Sequence, residues 1–137
     1  MNISMSMSNA GMTYLAYVTI LTALMWVPYV LDRMMVWGLT DTVGYPADPK
    51  PQSPWAERLK KAHANAIENL VVFAVLVFCA HGMGITGDLI GTAAMIYFWS
   101  RLVHAISYTM AMPWVRTLGF TGGFVAQMMV AYAIVAS

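Results

Sequence analysis

Residues 54–83 read PWAERLKKAHANAIENLVVFAVLVFCAHGM, and this stretch decides the fold. Its first half carries charged and amide side chains, whereas the run from Leu70 to Ala80 is wholly apolar. A helix of this length exceeds the roughly 20 apolar residues that cross the hydrocarbon core of a bilayer. Because lipid cannot satisfy polar groups, the polar half must either leave the membrane or line a wet cavity. We therefore predict a transmembrane helix with a polar end.

Three further long apolar segments predict an all-α integral membrane four-helix bundle. We expect a single domain over residues 1–137, with helices at residues 12–37, 54–83, 86–110 and 113–136. Pro28 should kink the first helix, because a proline inside a helix removes one backbone hydrogen bond. Residues 1–11 are expected to be a short terminal segment, and the Gly- and Pro-rich residues 38–54 a loop.

Composition and charge agree with this membrane fold. Hydrophobic residues make up 60% of the chain and charged residues only 9%, against roughly 25% charged residues in a soluble domain. The net charge of +1 argues against a nucleic-acid partner, since it supplies no basic field for phosphates. All seven Lys and Arg residues fall at one end of the predicted bundle. The positive-inside rule predicts that this end is cytoplasmic, with both termini on the opposite side.

Two polar stripes on separate predicted helices define the candidate site. Lys61, Asn65 and Glu68 have spacing i, i+4 and i+7 on the second helix, so they share one face. On the third helix, Arg101, His104 and Tyr108 likewise share a face, with spacing i, i+3 and i+7. Ionisable residues at membrane depth are costly and mark functional sites, so the two stripes should face each other.

The chemistry of these groups predicts the kind of ligand. Several cations suit the carboxylates of a polar ligand, and the carboxylate of Glu68 suits an ammonium group on the same molecule. The apolar flanks would admit a hydrophobic second substrate from the bilayer. The residues therefore favour a small zwitterionic molecule with a net negative charge. We predict no metal site, because the three histidines lie on different faces or ends of the helices.

The string RLKKAHANAIEN at residues 58–69 resembles the signature of the MAPEG family, the membrane-associated proteins in eicosanoid and glutathione metabolism. The resemblance covers nearly the whole chain, and the chain looks like a bacterial-type member of the family. It includes four helices, a Pro-rich first loop, the pattern Arg101-x-x-His104-x-x-x-Tyr108 and Arg116 near the start of the fourth helix.

The resemblance implies a homotrimer in the bacterial inner membrane, with glutathione as co-substrate between adjacent subunits. It also implies a contact with glutathione for seven residues: Arg33, Lys61, Asn65, Glu68, Arg101, His104 and Tyr108. Arg116 matches the arginine that the family assigns to the glutathione sulfur. A guanidinium there favours the thiolate, which is the nucleophile. The implied function is a membrane glutathione transferase or peroxidase acting on a hydrophobic small molecule or lipid.

Three positions depart from the family pattern. Lys61 stands where arginine is usual, and Ala64 and Phe120 stand where prostaglandin E synthase-like members carry arginine and tyrosine. These differences favour a general transferase or peroxidase over an eicosanoid synthase. The alternative function is a non-catalytic membrane subunit or accessory protein of the same fold. A small transporter is disfavoured, because the sequence has no inverted repeat.

The sequence is also compatible with purely structural roles for the same residues. Lys61 and Arg116 would serve equally as anchors that reach lipid phosphates. Asn65 and Glu68 would serve as polar contacts between helices, and Glu68 with Arg101 would form a buried ion pair.

Overall fold

The computed structural model describes the backbone of residues 3–137 and the side chains from Asn9 onward. Within this range the chain forms six helices and no strand. They are α1 (Ile3–Leu24), α2 (Trp26–Trp37), α3 (Leu39–Val43), α4 (Pro54–Gly82), α5 (Asp88–Thr109) and α6 (Pro113–Val135). Four helical segments are long and apolar enough to cross a membrane. The first of them, Asn9–Trp37, includes the break between α1 and α2. The predicted all-α, four-helix membrane fold is confirmed.

Two segments expected to lie outside helices are helical. Residues 3–11 belong to α1, so the expected terminal segment is wrong for these residues, while residues 1 and 2 lie outside the described range. Relative to alanine, each Ser, Asn or Met lowers the stability of a helix by only tenths of a kcal/mol, so this composition does not prevent a helix. The predicted loop also contains α3, which starts after Gly38 at a φ of 80°. Such a positive φ is accessible to glycine, which lets the chain turn out of α2.

The break between α1 and α2 has a simple covalent cause. Pro28 has no N–H to donate to the carbonyl of Leu24, and α1 ends at Leu24. The N–H of Met25 donates to the carbonyl of Thr22 at 3.3 Å, three residues back, in place of a regular helical bond. The first membrane span is therefore two helices joined at a bend one turn before the proline.

The centre of the bundle is an aromatic stack between α4 and α5. The rings of Phe73 and Tyr97 lie 3.9 Å apart, and their planes differ by only 7°. Both side chains are fully buried, with Val18 of α1 and Val130 of α6 in the same core. Because α5 touches α1, α4 and α6, the position of α5 fixes the depth of the polar residues it carries.

Glycines bring α6 into backbone contact with α5. A Cβ atom on Gly119 would lie 2.9 Å from the backbone nitrogen of His104 and 3.0 Å from the carbonyl oxygen of Ser100. One turn later, a Cβ on Gly123 would lie 3.3 Å from Cδ of Arg101. Small residues four apart allow such close approach in membrane helices. The contact holds α6 directly against the polar face of α5.

The outer surface of the bundle is apolar over most of its length. Large hydrophobic side chains stand exposed on the helices, among them Val75 and Phe78 on α4 and Leu118, Phe124 and Tyr132 on α6. In water such a surface would promote aggregation, whereas lipid tails match it.

A buried carboxylate holds the connection between α2 and α4 in place. Asp32 accepts hydrogen bonds from the backbone N–H of Ser53 at 3.1 Å and from its hydroxyl at 2.5 Å. The amide of Gln52 donates to the same carboxylate at 3.2 Å. The indole N–H of Trp37 donates to the carbonyl of Lys50 at 2.6 Å. The polar start of α4 is thereby fixed against the end of the first span.

We predict that Gly119→Ala lowers the thermal stability of the protein in detergent, because the new methyl group would press on backbone atoms of α5 that cannot rotate away. The expected loss is about 1–3 kcal/mol. Unfolding followed by circular dichroism measures this loss. Gly82→Ala is the matched control, since a Cβ there meets nothing within 4 Å. Equal stability of both variants would contradict the close packing.

Candidate functional site

Arg101 is the deepest cationic group of the candidate site. Its side chain is only 3% exposed, and its Nη2 donates to Oδ1 of Asn65 on α4 at 2.7 Å. Its Nε is buried and has no hydrogen-bond partner among the described residues. The two predicted polar stripes thus meet at this pair. Since an unused donor of a buried charge is costly, the site has capacity for a further acceptor.

A chain of amides extends from this pair across the bundle. Nδ2 of Asn69 donates to the backbone carbonyl of Asn65 at 2.9 Å and lies 3.3 Å from its Oδ1. On the other side, Nε2 of the buried Gln127 on α6 donates to the carbonyl of Asn69 at 3.2 Å. Oδ1 of Asn65 accepts from both Asn69 and Arg101, and its Nδ2 has no acceptor among the described residues.

A second cluster lies nearer the charged end, between α5 and the start of α6. The rings of His104 and Tyr108 meet edge to face with their centres 5.6 Å apart. Cζ of Arg116 lies 4.9 Å from the centre of the Tyr108 ring, in cation–π contact. The His104 side chain is only 3% exposed, and its Nδ1 has no partner among the described residues. An arginine, a phenol and an imidazole therefore share one small region.

The remaining predicted residues lie around these clusters. Lys61 and Glu68 are exposed beside Asn65 on the outer side of α4. Arg101 bonds to Asn65 and the carboxylate of Glu68 stays exposed, which disfavours the structural alternative of a buried Glu68–Arg101 ion pair. Arg33 lies on α2 with its Cζ 5.0 Å from the centre of the Trp37 ring. Within one copy of the chain, the structure gives contacts for Asn65, Arg101, His104, Tyr108 and Arg116 of α6. Lys61, Glu68 and Arg33 take no part in these contacts.

Sequence reasoning missed three polar residues of this region. Asn69 contacts the Asn65 side chain, and Gln127 donates to the backbone carbonyl of Asn69. The hydroxyl of Tyr29 on α2 lies 2.8 Å from Nδ1 of His63 on α4. A single amide such as Gln127 in an otherwise apolar helix was the available signal, since polar groups at membrane depth seek partners. His63 itself packs towards α2, away from the Arg101 pair.

These features define a class of protein: an α-helical, multi-pass membrane protein with a buried polar site between two spans at its charged end. The model of the MAPEG family matches residues 13–136, and the chain belongs to this family. Membership supports a membrane-bound, glutathione-related function of the transferase or peroxidase kind in general. No curated protein matches the chain.

We predict strong coupling between Asn65 and Arg101 in a double-mutant cycle. Asn65→Leu should cost about 3 kcal/mol or more, because it leaves the buried guanidinium without its acceptor. Arg101→Met should cost less, since Asn69 still donates to Asn65.

The double variant should therefore lose less free energy of unfolding than the two single variants lose together. Unfolding in mixed micelles, followed by circular dichroism, supplies the four free energies of unfolding. Additive losses would mean that the two side chains do not depend on each other.

Proposed function

We propose that the protein is a membrane glutathione transferase or peroxidase that activates the glutathione thiolate and passes it to a hydrophobic electrophile. The observation that carries this proposal is the buried Arg101–Asn65 pair, which joins α4 and α5 and leaves Nε of Arg101 without a partner among the residues that the structure describes. Family membership supplies the general chemistry.

The donors and acceptors of the site match the charges of glutathione. Its two carboxylates require cations, for which Arg101, Lys61 and Arg33 are proposed. Its α-amino group requires an anion, and Glu68 is exposed next to Asn65 on α4. Nδ2 of Asn65, which has no acceptor in the described part of the chain, is proposed as a neutral donor to the ligand. His104 and Tyr108 complete the proposed binding set nearer the charged end.

A homotrimer would complete this site. Lys61 and Glu68 are exposed in the single chain, although exposed charges beside a lipid-facing surface are costly. Arg33 lies apart from them on α2. A neighbouring copy packed on this side of α4 would cover the exposed charges and enclose the ligand. We therefore propose that glutathione binds between subunits.

Arg116 is proposed to hold the sulfur of glutathione as a thiolate. In the transferase reaction the thiolate attacks the carbon of the electrophile, a carbon–sulfur bond forms and the leaving group departs with the bond electrons. In the peroxidase reaction the thiolate attacks the terminal oxygen of a hydroperoxide, a sulfur–oxygen bond forms and the O–O bond breaks. The alkoxide leaves and takes up a proton to become the alcohol, while the glutathione sulfur becomes a sulfenic acid. A second glutathione then yields the disulfide, so that two glutathione molecules reduce one hydroperoxide to an alcohol and water.

One observation favours the non-catalytic alternative. The Arg116 guanidinium lies on the ring of Tyr108, a contact that would also suit a purely structural anchor. The thiolate absorbance in the ultraviolet separates the two functions, because binding without activation leaves it unchanged. The transferase hypothesis predicts that the thiolate absorbance rises when glutathione is added to the purified protein in detergent.

We predict that the purified protein conjugates glutathione to a chlorinated aromatic acceptor or reduces an organic hydroperoxide. Arg116→Ala should lower kcat/KM by about 100-fold, because it removes a charge aimed at the reacting sulfur. Binding of glutathione, measured by calorimetry, should weaken much less.

Thr117→Ala is the control, since Thr117 is exposed and, in the described part of the chain, its hydroxyl bonds to the carbonyl of Pro113 alone, within its own helix. The enzyme function would be wrong if the unaltered protein had neither activity, or if Arg116→Ala changed nothing.

A further inference from the structure

The bend of the first span opens an apolar groove on the side of the bundle. The groove has a volume of about 310 Å³ and lies between the α1–α2 bend, the start of α4 and the last turns of α5. Leu24 and Pro28 form one wall, and Leu59, Ile106 and Thr109 line the opposite side. Ile106 is 56% exposed and Leu24 is 59% exposed, so the groove is open at the surface of the single chain.

A guanidinium stands at the charged end of this groove. Nε of Arg58 donates to the backbone carbonyl of Thr109 at 2.8 Å, and Thr109 is one of the residues that line the groove. This is the one hydrogen bond of Arg58 in the part of the chain that the structure describes. A guanidinium has five N–H donors, so the two terminal nitrogens keep four for another acceptor.

We propose that this groove is a binding site for an anionic phospholipid, with one acyl chain in the groove and the phosphate on Arg58. The site is separate from the proposed glutathione site and does not depend on it. The Asn65 amide bonds to Arg101 inside the bundle, whereas Arg58 bonds to the C-terminal end of α5.

The chemistry of the groove favours an anionic lipid as its occupant. The residues that line it are apolar except Thr109, which suits an acyl chain, and Arg58 supplies a cation at the end where Thr109 lies. An arginine at the end of an apolar groove between membrane helices matches a phosphate headgroup, which it binds through two parallel hydrogen bonds.

Native mass spectrometry tests the headgroup. The protein is released from mixed micelles that contain equal amounts of phosphatidylglycerol and phosphatidylcholine. We expect it to retain one molecule of phosphatidylglycerol more often than one of phosphatidylcholine. Arg58→Gln should lower this preference about tenfold, as expected for the loss of a charge-assisted hydrogen bond. Lys50→Gln is the matched control, because it removes an exposed charge of the same sign from the same end.

Two results would overturn the headgroup site. The first is equal retention of both lipids by the unaltered protein. The second is an equal effect of Arg58→Gln and Lys50→Gln, which would mean that the whole charged end attracts anions without a defined site. If inorganic phosphate alone released the bound phosphatidylglycerol, the proposal would also be contradicted, since the acyl chain would then contribute nothing to binding.

A second pair of variants tests the groove without altering Arg58. Ile106→Trp should fill the groove and reduce retained phosphatidylglycerol about tenfold or more. Val103→Trp places the same bulk on the exposed side of α5 outside the groove, and retention should stay unchanged. If Ile106→Trp instead alters the oligomeric state and leaves lipid retention as it was, the groove is covered by a second copy and the proposal is wrong.

Discussion

The buried guanidinium of Arg101 is the constraint on which the rest of the structure depends. An arginine inside an apolar bundle requires acceptors nearby, and within the described residues Oδ1 of Asn65 is the acceptor of Arg101. This requirement fixes the rotation of α4 relative to α5. The amides of Asn69 and Gln127 then extend the polar contact to α6, which approaches α5 closely because Gly119 has no side chain.

The fold could be predicted from sequence because its signal is long and redundant. Four apolar runs with few charges predict four spans, and the covalent structure of Pro28 places the bend. The terminal residues 3–11 and α3 were mispredicted because short polar segments carry weak local preferences. Whether such a segment is helical depends on neighbouring structure, such as α2 ahead of Gly38, more than on its composition.

The candidate site could be predicted only in part. Helical spacing predicts that Lys61, Asn65 and Glu68 share one side of the helix, but such a stripe covers a wide arc. The structure turns Asn65 inward and leaves Lys61 and Glu68 exposed, a division that spacing alone does not determine. The hydrogen bond from Gln127 to the backbone carbonyl of Asn69 joins residues 58 positions apart, and it requires α6 to pack beside α4.

The most direct test of this account is a solid-state NMR measurement on the protein in lipid bilayers, with nitrogen-15 and carbon-13 labels in arginine and asparagine. The structure has Nη2 of Arg101 2.7 Å from Oδ1 of Asn65. The account predicts a strong correlation between the Arg101 guanidinium nitrogens and the side-chain carbonyl carbon of Asn65, which Asn65→Leu removes. A guanidinium of Arg101 that correlates instead with water or lipid phosphate, and not with Asn65, would contradict it.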